Sequence, residues 1–159
     1  AILDNYLYAL DQDELKSFNI SAPANPTFGH SKATWAEPET FFPHDGHLFM
    51  GTTTGMKIYD AESDRDNPKY ISEVEHLESC DPVVVQGDYA YVTLRSGSDC
   101  GGIENELQVI DVSNYNSPKL KETFDMDDPH GLAVDGDLLF VCDGSSGLKV
   151  FNNASLFDE

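Results

Sequence analysis

Basic side chains are scarce in this sequence. Lys and Arg together number 9 against 29 Asp and Glu, a formal net charge of -20 with the five His neutral. Nucleic-acid binding runs on neutralising phosphates with Lys and Arg, and anionic membrane surfaces attract basic segments for the same reason. Neither is an expected partner. The acidic residues are spread along the chain and form no tail, which reads as a solvated acidic surface that keeps the protein soluble. Long apolar runs are missing too; none approaches the roughly 18 residues of a membrane span. Cysteine occurs three times, too few for a disulfide framework, although one bridge is feasible. The opening AILDNYLYAL holds Asp4 and Asn5 and no basic stretch, so it does not read as a secretory signal. HExxH, CxxC, GxSxG and phosphate-loop patterns are all absent from the sequence. No cofactor and no metal is expected.

What the sequence has is repetition. ELKSFN (14–19), GMKIYD (55–60), ELQVID (106–111) and GLKVF (147–151) are variants of one phrase. Anchored on Leu15, Met56, Leu107 and Leu148, the steps are 41, 51 and 41 residues. Anchored on the upstream turn at Asn5, Gly46, Gly87 and Gly136, they are 41, 41 and 49. A proline follows the phrase at Pro26, Pro68 and Pro118. Periods of this size mark arrays, solenoids and propellers.

Each unit reads as strands. DNYLYAL, DGHLFMG, QGDYAYV and DGDLLFV each open with a tight-turn signal suited to a hairpin. The alternating sets that follow are both apolar: Leu7, Leu48, Tyr89 and Leu138 on one face, Tyr8, Phe49, Ala90 and Leu139 on the other. A sheet covered on one side only alternates apolar with polar, so these strands are expected to be buried on both faces. The phrase is the next strand, and a more polar strand follows the proline, as near an exposed edge. An all-β, four-stranded antiparallel unit covered on both sides is the blade of a β-propeller. The blades are placed at residues 1–34 (incomplete, its last three strands), 36–76, 78–124 (with an inserted loop) and 127–159 (incomplete, its first three strands). About three and a half blades implies part of a longer propeller, or open ends paired by another chain.

LQVID (107–111), with CDPVVVQGDYAYVTLRSG, CGG, LQVIDVSN, DPHGL and LLFVCDG, resembles the LVIVD-repeat family of bacterial propeller-like proteins over nearly the whole chain. The resemblance implies a propeller fold and an extracytoplasmic, often lipid-anchored surface protein. The leader or anchor would lie outside these residues. It implies no established enzymatic activity.

Candidate functional residues gather where the units depart from their own pattern. The third unit carries an insertion, LRSGSDCGGIENE (94–106), between its second and third strands. Insertions in repeat proteins map to loops on one face, often the binding face. Segments entering first strands open on that same face and carry ESCDP and DDPHG, which places Asp81 and His130 near the channel mouth. Second strands deliver Arg95 and Asp143 to the same rim. The plainer reading is that Asp81 and His130 cap turns beside proline. Cys80 and Cys100 fall on one face, so a disulfide clamping the loop is feasible; two free thiols are the alternative. Cys142 reads as a small buried residue. DAESDRDNP (60–68) alternates acids but lacks the Gly and Glu of a calcium loop. Two functions follow. One is a non-enzymatic scaffold binding a protein or glycan through the loop face, which predicts an exposed apolar or aromatic patch there. The other is a hydrolase or lyase whose site converges His130, Asp81 and Arg95.

Overall fold

The computed structural model describes residues 1–35, 37–75, 82–97 and 102–153. These residues form four antiparallel sheets in chain order. The first holds β1 (Ile2–Leu3), β2 (Tyr6–Asp11), β3 (Glu14–Asn19) and β4 (Thr27–Ala33). The second holds β5 (Pro38–His44), β6 (His47–Thr52), β7 (Gly55–Asp60) and β8 (Lys69–Glu75). The third holds β9 (Val83–Gln86), β10 (Tyr89–Leu94), β11 (Glu106–Asp111) and β12 (Lys119–Asp125), and the fourth β13 (Pro129–Asp135), β14 (Leu138–Asp143) and β15 (Leu148–Asn152). Each sheet is a meander, and the first strands β1, β5, β9 and β13 neighbour one another in turn. The fold is a β-propeller of four-stranded blades. The first blade holds one strand more than the sequence reading allowed, because Ile2 and Leu3 pair with Leu7 and Tyr6.

The hairpin turns correct the alignment of the units. Every one is a two-residue loop, at 4–5, 45–46, 87–88 and 136–137. What recurs is a positive φ at the first loop residue: 52° at Asp4, 45° at Asp45, 56° at Gly87 and 54° at Gly136. The glycine of the second unit stands at the second loop position, one residue later than those of the third and fourth. The register onto the phrase strand agrees: Leu7 faces Phe18, Leu48 faces Tyr59, Ala90 faces Ile110 and Leu139 faces Phe151. Leu7, Leu48, Ala90 and Leu139 are therefore the equivalent residues, and Tyr89 and Leu138 lie on the opposite face. The polar tail of the phrase has a local cause as well. Asn19, Asp60 and Asp111 each accept, through Oδ1, the N–H of Ser21, Ser63 and Ser113 at 2.9–3.0 Å. Hydrogen bonds from those serines hold Asp60 and Asp111 below the ordinary carboxylate pKa. The acidic run at 60–68 is thus such a turn, and Asp64 repeats the device on the N–H of Asn67.

Burial on both faces is realised at the seams between blades. Tyr8 and Leu15 of the first blade pack on Leu48 and Met50 of the second. Phe49, Met56 and Ile58 of the second pack on Val85, Ala90 and Val92 of the third. Tyr91, Leu107 and Val109 of the third meet Leu139 and Val141 of the fourth. In every seam the face carrying the phrase leucine or methionine meets the other face of the next blade. The two outward faces, of the first blade (Ile2, Leu7, Phe28) and of the last, meet no other blade among the described residues and stay exposed. Leu148 is 61% exposed, whereas its equivalents Leu15, Met56 and Leu107 are exposed by 2% or less. Cys142 shares that outward face and is exposed, not buried as its apolar strand suggested, because it alternates with the inward Val141 and Asp143.

The two leucines make a controlled comparison. Leu107→Ala removes a buried side chain and is expected to cost about 2–5 kcal/mol. Leu148→Ala, at the same repeat position, is expected to change stability by about 0.5 kcal/mol or less. Urea unfolding of the two variants checks this, and equal losses would contradict the seam assignment.

Candidate binding face

The crossovers between blades and the turns joining second to third strands gather at one rim. Backbone bonds establish this twice: Thr34 N–H donates to Asp13 O at 2.8 Å, and Met126 N–H donates to Asn105 O at 2.9 Å. Between the third and fourth blades the rim is built around Asp143, the last residue of β14. Its carboxylate accepts the backbone N–H groups of Asp127 (3.0 Å) and Asp128 (2.8 Å) and an ammonium hydrogen bond from Lys149 at 2.5 Å. Burial alone would raise this carboxyl, but the Lys149 ammonium and the two N–H donors outweigh it, and the net shift is downward. The same contact raises Lys149. Asp143 is 0% exposed. Asp143, named from the sequence as a binding-face residue, anchors the 126–128 crossover.

That anchoring presents Asp128, whose carboxylate receives Arg95 Nε at 2.8 Å and His130 Nε2 at 3.2 Å. The Arg95 guanidinium, and then His130, hold Asp128 below the usual carboxylate pKa. Gly144 makes room for this aspartate, since a Cβ there would stand 2.8 Å from the Asp128 side chain in a backbone with φ +49°. The inserted loop is tied to the same crossover: Asn105 Nδ2 donates to Asp127 O and Asn105 Oδ1 accepts the N–H of Ser96, both at 2.8 Å. The structure brings Arg95, His130 and Asp143 to one rim with the described ends of the inserted loop. It joins Arg95 to His130 through Asp128, a residue the sequence reading passed over. Asp81, Cys80 and Cys100 lie outside the described residues, and with them the proposed disulfide.

The other feature missed from sequence is Trp35. It stands in the crossover between the first two blades, at the position that Asp127 takes between the third and fourth. It is 89% exposed, with φ +54°. A positive φ is a rare and costly backbone for a bulky residue. The signal available was that Trp35 is the single tryptophan of the chain and sits just before a first strand. Ile103, on the inserted loop, is exposed at the same rim.

Antiparallel blades seamed face to face, with crossovers and inserted loop on one rim, define a β-propeller repeat protein. The chain belongs to the LVIVD-repeat family, whose profile matches residues 1–34 and 79–126, just over half of its length. No curated protein sequence matches it. Among solved structures, the computationally designed Ika4 protein superposes with a TM-score of 0.71 at 12% identity, covering 95% of this chain and 87% of that one. Apo AztD from Citrobacter koseri gives 0.65 at 16% identity, covering 93% of this chain and 42% of that one. The chain thus spans less than half of AztD. At these identities the likeness speaks for the fold alone.

The anchoring role of Asp143 has a pH signature. A carboxylate whose pKa is lowered by folding stabilises the protein above its unfolded value, about 3.9, and loses that contribution as pH falls through the folded value. Asp143→Asn is expected to cost about 2–3 kcal/mol at pH 7, and the gap from wild type is expected to narrow in acid, as the pH falls through the lowered folded value. Urea titrations at pH 7 and in acid check this. A gap of equal size in acid would assign the loss to packing.

Proposed function

We propose that this protein is a non-enzymatic binding propeller that recognises a protein or glycan partner through its loop face. The observation that carries the reading is Trp35, a large aromatic side chain exposed on the rim where function was expected. Soluble proteins have little reason to hold an indole in water at the cost of an unfavourable backbone unless the surface meets something. The ionic residues of the same rim support the reading by their use. Arg95 and His130 both turn onto Asp128, and Lys149 onto Asp143, an arrangement that fixes a crossover in one shape. A rigid rim lowers the cost of ordering on binding. Family membership supports an extracytoplasmic setting, at the cell surface or in the periplasm, with any lipid anchor outside these residues. The charge of -20 disfavours nucleic acid as partner.

The test compares opposite ends of the molecule. Wild-type protein, a loop-face variant (Trp35→Ala with Ile103→Ser) and a variant of the third blade's outer strand (Leu120→Ser) are immobilised and exposed to solubilised cell envelope. The expected result is a ligand retained by wild type and Leu120→Ser and lost from the loop-face variant. Equal retention by all three would remove the loop face from the function.

A further inference from the structure

Two cavities meet under Trp35. One, of about 310 Å³, is bounded by Thr52, Thr54, Gly55 and Glu75. The other, of about 410 Å³, is bounded by Lys32, Tyr59 and Tyr70. Both are also lined by Trp35, Lys57 and Glu73, so they form one groove with a shared midpoint. Each falls in the roughly 300–1,000 Å³ range of small-ligand sites. The groove runs along the seam of the first two blades and opens on the loop face. We infer that this groove is a binding site for a short neutral oligosaccharide. The inference rests on the loop-face reading above and narrows it to one ligand class.

The lining selects the ligand. Its charges balance, Lys32 and Lys57 against Glu73 and Glu75. Its cations are already engaged: Lys57 Nζ donates to Thr34 O at 3.2 Å and lies 3.6 Å from Glu73, and Lys32 Nζ donates to Pro68 O at 2.5 Å. An anionic ligand would have to compete with these contacts for the two ammonium groups, and it meets the field of a strongly acidic chain. A wholly apolar ligand would cover the Lys57–Glu73 pair and the exposed Thr54, at the cost of their hydration. What fits is a molecule with one apolar face and a rim of hydroxyls that both donate and accept. A pyranose ring is such a molecule: its C–H face lies on an indole, and its hydroxyls reach carboxylate, ammonium and hydroxyl groups at the edge. Trp35 offers the platform. Tyr59 and Tyr70, edge to face with centroids 5.9 Å apart, wall the second cavity. Gly55, which lines the first, is required by close backbone packing, since a Cβ there would stand 2.2 Å from the Val74 carbonyl oxygen. Two cavities either side of one ion pair call for at least two linked sugars.

The single tryptophan of the chain makes the test direct, because its fluorescence reports on this groove alone. Chitotetraose, cellotetraose and maltotetraose are titrated into the wild-type chain, with a Lys/Arg-rich hexapeptide as the competing chemistry. The expected result is a saturable blue shift of the Trp35 emission with at least one neutral sugar and none with the peptide. By calorimetry, Trp35→Ala is expected to weaken that sugar at least tenfold (about 1.4 kcal/mol or more), and Trp35→Tyr to retain part of the affinity. The thermal transition of both variants is expected to match wild type, since the side chain is exposed. A shift with the peptide and not with sugars would overturn the ligand class while leaving the loop face in use. Sugar binding unchanged by Trp35→Ala would overturn the groove in favour of another place on that face. No binding of any sugar at millimolar concentration would overturn the inference, whereas the envelope comparison above decides the loop-face reading independently.

Discussion

A four-stranded sheet with apolar residues on both faces cannot stand alone in water; each face must find a cover. Everything else in this chain follows from that requirement. Tyr8, Phe49 and Tyr91 are almost wholly buried because the next blade lies on them, and Leu48, Ala90 and Leu139 because the preceding one does. The hydrophobic effect, near 25 cal/mol per Å² of apolar surface removed from water, is collected between sheets and hardly at all within one. Stability is therefore a property of neighbouring pairs.

The seam also arranges the polar rim. The third position of the phrase, Lys16, Lys57, Gln108 and Lys149, lies on the face turned to the preceding blade. In the second and fourth blades that lysine reaches back to the crossover it has just left. Lys57 meets the Thr34 carbonyl, and Lys149 meets Asp143 and lies 4.0 Å from Asp127. A crossover that would otherwise be a plain loop is held by a charge drawn from the following sheet. The same holding action presents Trp35 in one place and Asp128 in the other.

The architecture was legible in the sequence because it is written in periodicity, and periodicity survives divergence of individual residues. The exact register was not, because glycine marks a turn without marking its position. The structure needs a positive φ at the first loop residue, and Asp4 and Asp45 supply it as well as Gly87 and Gly136 do. Asp143 was legible as a rim residue but its anchoring contacts were not, since a sequence does not show that a strand-end carboxylate is covered by the neighbouring crossover. Asp128 went unnoticed beside the more conspicuous His130. Trp35 went unnoticed because it falls between units, where repeat alignment has nothing to compare. The unaligned positions are the ones left free of packing duty, because the aligned ones are committed to the seams.

The seams have one further property: they join unlike faces. Each blade offers its phrase-leucine face forward and its phrase-lysine face backward, so the array has a head and a tail, like bricks with studs on one side and sockets on the other. Turning one blade over would set like faces against each other and leave the Leu15, Met56 and Leu107 positions without their partners. The row Ile2, Leu7, Phe18 and Phe28 on the first sheet is a socket, and Phe140, Leu148 and Val150 on the last are studs. Growth of such an array, by duplication of a unit in the gene, is vectorial: an added blade fits at either end in one orientation, without any new interface having to be invented.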